Sequence, residues 1–270
     1  MRILRRLFAA AAIVPLVGCF QSSTVIRVKA DGSGTIEQRT LVTQAALEQL
    51  RAFAILGGST ADTSDPTSEA QARSMAAAIG PGVTYVSSTP LRADTAQGRE
   101  AIYAFSDITQ LRISEQPPVP GGASLRAQGV NTDSPPITFA LTRQPDGNVL
   151  LRIMVPRPGG LPFGTPGANG EVTPPSLGQI TMVKQMLAGA RLTVAIEPAG
   201  RLVQTSSPFV DGNRVTLIDL DIDKAASDPD LVKKLQSPKT LEETKAAINS
   251  VPGFKMTLDP EISVTFTPAE

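Results

Sequence analysis

Asp219, Asp221 and Asp223 occupy alternate positions near the end of the run Arg214 to Asp223. On an extended strand alternate side chains project from one side, so three carboxylates would share a face. Such a row suggests two chemistries. Carboxylates at the first, third and fifth places of a twelve-residue loop hold calcium, and Asp230 would fall on the twelfth place. Paired carboxylates also act as acid and base in hydrolases. Lys224, however, stands sixth, where a calcium loop needs glycine for its sharp turn. Ile218, Leu220 and Ile222 alternate with the acids as a half-buried strand requires. The row is therefore read as the wet face of a strand, and no metal or cofactor is assigned to it.

Other reactive signatures fail on their neighbours. Gly159-Gly160-Leu161-Pro162-Phe163-Gly164-Thr165 has the glycine density of a phosphate loop but neither its lysine nor a strand-to-helix setting. Gly57-Gly58-Ser59 would form a nucleophile elbow only with glycine where Ala61 stands. No lysine follows a serine by three places. Histidine is absent from the 270 residues, which removes Ser-His-Asp and Cys-His machinery and the commonest metal ligand. Tryptophan is absent too and aromatics make up 4%, against a stacking platform for single-stranded nucleic acid. Tyr103, Phe105 and Phe139 lie on alternating strand faces, which packs a core more simply than it lines a pocket. The expectation is a protein without enzymatic activity.

Cys19 is the only cysteine. It closes the run Leu16-Val17-Gly18-Cys19, behind an apolar stretch that follows Arg2, Arg5 and Arg6. A basic start, a short apolar segment and a small residue before the cut form an export signal. Leu7 to Gly18 supplies twelve positions, fewer than the ~20 of a membrane-spanning helix. The run resembles the lipobox of bacterial lipoproteins. That resemblance implies removal of residues 1–18, a diacylglycerol thioether on Cys19 and usually a third acyl chain on its amino group. Two or more chains anchor stably where one is marginal. Phe20 follows where an aspartate would signal inner-membrane retention, so family sorting habits point to the periplasmic face of the outer membrane in a two-membrane host. Arg5-Arg6-Leu7-Phe8 also resembles part of a twin-arginine signal, but its flanks match poorly.

The 25 basic and 25 acidic residues balance over the whole chain. Losing three arginines with the signal leaves 22 basic against 25 acidic, or net −3, too neutral for a nucleic-acid surface. The mature length permits one large or two modest domains with a core.

Turn and cap signals outline the elements. Val25 to Lys29, Asp31-Gly32-Ser33-Gly34 and Thr35 to Val42 read as a hairpin. Thr43 caps a predicted helix carrying Leu47, Leu50, Phe53 and Ala54, with Gly57 past its end. Ser68 with Gln71 opens a second helix, which stops before Gly80-Pro81-Gly82. Strands are predicted over 83–88 and 101–113. A proline-rich excursion covers 114–136, followed by a hairpin turning at Asp146-Gly147-Asn148 whose apolar return strand would be covered on both faces. Ser176 with Gln179 opens a further helix. Residues 191–197 are predicted to turn at Pro198-Ala199-Gly200 and run back through Leu202 and Val203. Asp211-Gly212-Asn213 then introduces the strand from Arg214 to Asp223. Asp228-Pro229 and Thr240 with Glu243 mark two more helix starts. Strands at 255–258 and 262–266 close the chain.

These elements predict an α+β fold of hairpin-built antiparallel sheets with packed helices, and the recurrent Asp-Gly turns suggest two related lobes. The division is a signal peptide over 1–18, an N-terminal lobe over 19–155, a Pro/Gly-rich connector over 156–175 and a C-terminal lobe over 176–270. Val25 to Arg39 and Val210 to Lys224 are similar to segments of uncharacterised bacterial lipoproteins, including the LppM-like group. The resemblance implies an antiparallel envelope domain of unknown activity and supplies no catalytic residue. The functional expectation is a lipid-anchored envelope protein, held to its membrane through Cys19, that binds a protein or ligand partner. Two alternatives are a carrier of an apolar or lipid ligand and a carboxylate-dependent hydrolase.

Overall fold

The computed structural model describes residues 20–44, 47, 67–93, 95–113, 135–155, 165–166, 172–173, 176–186, 188–237 and 240–269. The predicted signal peptide, Cys19, the glycine runs at 57–59 and 159–164, most of the predicted helix after Thr43 and most of both proline-rich excursions lie outside the described residues.

Two sheets carry the fold. Strands β1 (Phe20–Val28) and β2 (Gly34–Thr43) form the predicted first hairpin around Asp31 to Ser33. Helix α1 (Glu69–Ile79) follows, with Ser68 accepting from the Gln71 amide at 3.1 Å as its cap. A second hairpin, β3 (Thr84–Ala93) and β4 (Ala96–Phe105), runs longer and turns earlier than the sequence suggests. A short 3-10 turn at Ile108–Gln110 leads on. Strands β5 (Thr138–Arg143) and β6 (Val149–Met154) form the hairpin at Asp146-Gly147-Asn148. The two-residue strands β7 (Thr165–Pro166) and β8 (Val172–Thr173) pair with each other, and α2 (Leu177–Met186) follows. Then come β9 (Arg191–Pro198), β10 (Gly200–Thr205), β11 (Val210–Asp211) and β12 (Arg214–Asp221). Three helices, α3 (Ile222–Ala226), α4 (Leu231–Gln236) and α5 (Leu241–Asn249), precede β13 (Phe254–Met256) and β14 (Glu261–Pro268).

The large sheet has the order β11-β12-β9-β1-β2-β4-β3, with β13 also on β12, and the small sheet the order β10-β14-β6-β5. Both sheets draw strands from each side of residues 156–175. The join is β1 with β9, a parallel pair in which Ile26 lies opposite Ile196. Period-two patterning explains the core between the sheets. In β14, Ile262, Val264 and Phe266 are fully buried while the residues between them are not. Val149, Leu151 and Ile153 of β6 join the same cluster as Ile26, Ile36, Tyr103 and Ile196 of the large sheet. Fully burying each such side chain contributes about 1.5–3 kcal/mol.

The α+β expectation is corrected by this architecture. Strands account for 50% of the structure and helices for 22%, so the described fold is predominantly β. The caps do start helices: Thr240 accepts from the Glu243 amide at 3.2 Å while Glu243 accepts from the Thr240 amide at 3.3 Å. A cap sets where a helix begins, not how much core it covers, and here the apolar sheet faces cover each other.

Three local expectations also change. β6 lies between β14 and β5, yet Arg152 is exposed, so only one of its faces is core. Residues 191–205 are not a hairpin: β9 stays in the large sheet and β10 crosses to pair with β14. The crossing occurs at Gly200, where φ is +152° and a Cβ would lie 2.0 Å from the Thr267 carbonyl oxygen, which leaves room only for glycine. Asp230, rather than Asp228, occupies the cap position of α4, and Asp228 instead accepts from the Asp230 amide at 3.0 Å and from Lys234 Nζ at 2.7 Å.

Candidate functional site

The three aspartates do not form one row. β12 ends at Asp221 and α3 starts at Ile222, so Asp223 leaves the strand for the first turn of a helix. Asp219 accepts from Thr193 Oγ1 at 3.2 Å across the β12–β9 pair. Asp223 accepts from the Gly189 amide at 2.7 Å. Asp221 is the buried member: it pairs with Arg191, its direct neighbour on β9, and caps α3 by accepting from the Lys224 amide at 3.1 Å. Burial works to raise its pKa, but the Arg191 guanidinium, the Lys224 amide and the Lys224 charge together hold it below the usual carboxylate value. Each carboxylate thus serves a different local bond. Among the described residues no group of three or more His, Cys, Asp or Glu side chains is placed to hold a metal ion.

A ladder of charges that the sequence did not reveal crosses the outer face of the large sheet. Arg27 of β1 donates from Nη1 to Glu37 of β2 at 2.7 Å and from Nε to Glu197 of β9 at 3.0 Å. Arg214 of β12 donates to the other Glu197 oxygen at 2.6 Å. Glu37, Arg27, Glu197 and Arg214 therefore alternate in sign over four neighbouring strands. Burial would raise the Glu197 pKa, but the two guanidiniums outweigh it and keep the carboxyl below its ordinary value. A group held ionised in this way is a poor proton donor near neutral pH.

Beside the ladder opens a cleft of about 370 Å³, lined by Arg27, Glu197, Pro198, Ala199, Asp211, Asn213 and Arg214. Asn213 shapes its wall. Its amide nitrogen donates to the carbonyls of Pro198 at 2.5 Å and Gly200 at 2.8 Å, and its oxygen accepts from the Leu202 amide at 2.8 Å. The turn at 211–213 therefore clamps the point where the chain passes from one sheet to the other. The cleft mixes polar and apolar lining, and the Glu197 carboxylate within it is paired with both arginines, which suits a hydrogen-bonding partner better than covalent chemistry.

The aromatic strand residues lie inside. Tyr103, Phe105 and Phe139 are buried in the main core. Tyr103 donates from its hydroxyl to the Ala72 carbonyl at 2.9 Å and meets Tyr85 edge-on at 6.2 Å. Burial, with a smaller contribution from Tyr85, pushes the Tyr103 pKa up to about 12. Arg73 covers the outer face of Tyr85, 4.4 Å from its ring centre.

Arg27 and Glu37 sit diagonally across the first hairpin, so its register offered a signal for that contact. Glu197 meets Arg27 from 170 positions away, and nothing local announces it. The fold and site define a predominantly β domain of two sheets whose outer face carries a ladder of alternating charges and a cleft of mixed polar and apolar lining. No family model and no curated protein matches the chain. Among solved structures, it is similar to the folded domain of LppM from Mycobacterium tuberculosis, determined by NMR, at 11% identity and a TM-score of 0.32, over 93% of this chain and 91% of that one. No helix among the described residues is long and apolar enough to cross a membrane.

Proposed function

We propose that the protein is a lipid-anchored component of a bacterial cell envelope, a binding or interaction module without catalytic activity of its own. The observation that carries the reading is Leu16-Val17-Gly18-Cys19 at the end of a basic-then-apolar segment, one residue before the first strand. Acyl chains on Cys19 hold the domain to its membrane, on the periplasmic side of the outer membrane in a two-membrane host. The β domain then meets its partner through its surface, with the cleft lined by Arg27, Glu197, Asp211 and Arg214 as a candidate recess. Support for a non-enzymatic role comes from the absence of histidine and from the structural bonds that occupy Asp219, Asp221 and Glu197.

Labelled palmitate tests the anchor directly. The full chain made in a lipoprotein-processing bacterium is expected to take up label and enter the membrane fraction, and Cys19→Ala to do neither. Equal labelling of both forms would refute the reading. Crosslinking in intact envelopes, compared between the wild type and a Glu197→Ala variant, tests whether the cleft face meets a partner.

A further inference from the structure

The large sheet begins where the anchor ends. β1 enters its ladder at Phe20, opposite Val42 of β2, and Gln21 already lies opposite Arg191 of β9. The residue after Cys19 is thus fixed on one side, and the next on both, in the interior of a seven-strand path. Consecutive Cα atoms are about 3.8 Å apart, so no linker intervenes to let the domain swing away. The pairing register then says which other residues share that end: Thr43 of β2 beside Ala96, Gln97 of β4 beside Arg92 of β3, and Arg191 of β9 beside Asp221 of β12.

The chemistry of this rim differs from that of the sheet's interior. Phe20, Val42 and Leu47 form a small apolar cluster separate from the main core. Around it stand Arg92, which is exposed, Arg191 with a side chain 49% exposed, and Lys224 at 66%. Of the acids at the same end, Asp221 is buried, where it pairs with Arg191, caps α3 and lies 3.7 Å from Lys224 Nζ, while Asp223 is exposed and accepts from the Gly189 amide. Apolar stems with cationic heads suit the boundary between acyl chains and phosphates.

We infer that this rim rests on the phospholipid headgroups of the bilayer that holds Cys19, so that the strands of the large sheet rise from the membrane. The inference rests on the lipid anchor proposed above and adds an orientation to it. Nine residues of β1 at about 3.3 Å each place the Asp31 turn roughly 30 Å further out. The cleft at Glu197 and Arg214 lies at that far end, presented to the periplasm rather than to lipid.

The full chain, processed to its lipidated form, supplies the test, because Cys19 is its only cysteine and acylation blocks it. Single variants Arg92→Cys and Lys224→Cys place a thiol-reactive fluorophore on the rim, and Arg201→Cys places one at the far end of β10. Each is mixed into phosphatidylcholine–phosphatidylglycerol vesicles carrying headgroup-nitroxide lipid. Both rim labels are expected to lose most of their fluorescence while the Arg201 label keeps its own. Vesicle flotation is read on the same samples. Flotation with equal quenching at all three positions, with no quenching at any of them, or with quenching at Arg201 alone overturns the orientation and leaves the anchor standing. Failure of every form to float overturns the anchor and the orientation together.

Discussion

Arg27 of β1 and Glu197 of β9 lie directly opposite one another in the parallel pair that joins strands from either side of residues 156–175, with Arg27 Nε 3.0 Å from Glu197 Oε2. Glu197 also takes Arg214 from β12, so one carboxylate bridges three strands. Both arginines keep 44% of their side-chain surface in water, and such pairs are individually weak. Glu197→Ala is therefore expected to lower stability by only about 1 kcal/mol in urea unfolding, a loss that shrinks in high salt.

Acid should expose the same pairs. The folded pKa values of Glu197 and Asp221 lie below their ordinary values of 4.5 and 3.8. Groups of this kind contribute stability above the unfolded pKa and lose it as pH falls through the folded one. The melting temperature is expected to hold from neutrality down to about pH 5 and then fall. Glu197→Gln should make that fall shallower, and an unchanged acid limb would refute the assignment.

Asn213 offers a sharper contrast. Asn213→Ala removes two donors and one acceptor at the crossing between sheets, with an expected cost of about 1–3 kcal/mol. Asn213→Asp retains the acceptor for Leu202 but sets a carboxylate against the Pro198 and Gly200 carbonyls. It should cost more than alanine does, as measured by chemical denaturation of the purified protein.

Tyr103 gives an alkaline signature. Its folded pKa, raised to about 12 from 10.0, means that its stabilising contribution is complete below pH 10 and disappears as pH rises through the folded value. The Tyr103 share of the tyrosinate absorbance should appear only near pH 12, and Tyr103→Phe should delete that component. The same variant leaves the Ala72 carbonyl without its hydroxyl donor, at a cost of about 1 kcal/mol.

Close backbone approach makes Gly98 intolerant. A Cβ there would sit 1.8 Å from the Thr40 carbonyl oxygen, in the ladder between β2 and β4. Gly98→Ala is expected to cost roughly 3 kcal/mol or more, because rigid backbone must move. Gly147→Ala, with nothing within 4 Å and a φ of +85°, should cost only about 1–2 kcal/mol from the left-handed conformation.

Bonds that close locally are legible in the amino-acid sequence. The turns at Asp31-Gly32, Asp146-Gly147-Asn148 and Asp211-Gly212-Asn213, and the Thr240–Glu243 capping box, each close within a few residues, so composition at those few positions suffices. The run Leu16-Val17-Gly18-Cys19 is local in the same sense, a short motif read without any fold. The choice of β1 over β10 as the partner of β9 was decided elsewhere, by which apolar faces could be buried together once Gly200 let the chain cross. That choice brought Glu197 to Arg27 and left the short helices a minor share of the fold. Helix α3, capped by Asp221, took Asp223 out of the carboxylate row. Strand pairing over long separations leaves no mark on neighbouring residues, because its free energy comes from surfaces that meet only in the folded chain.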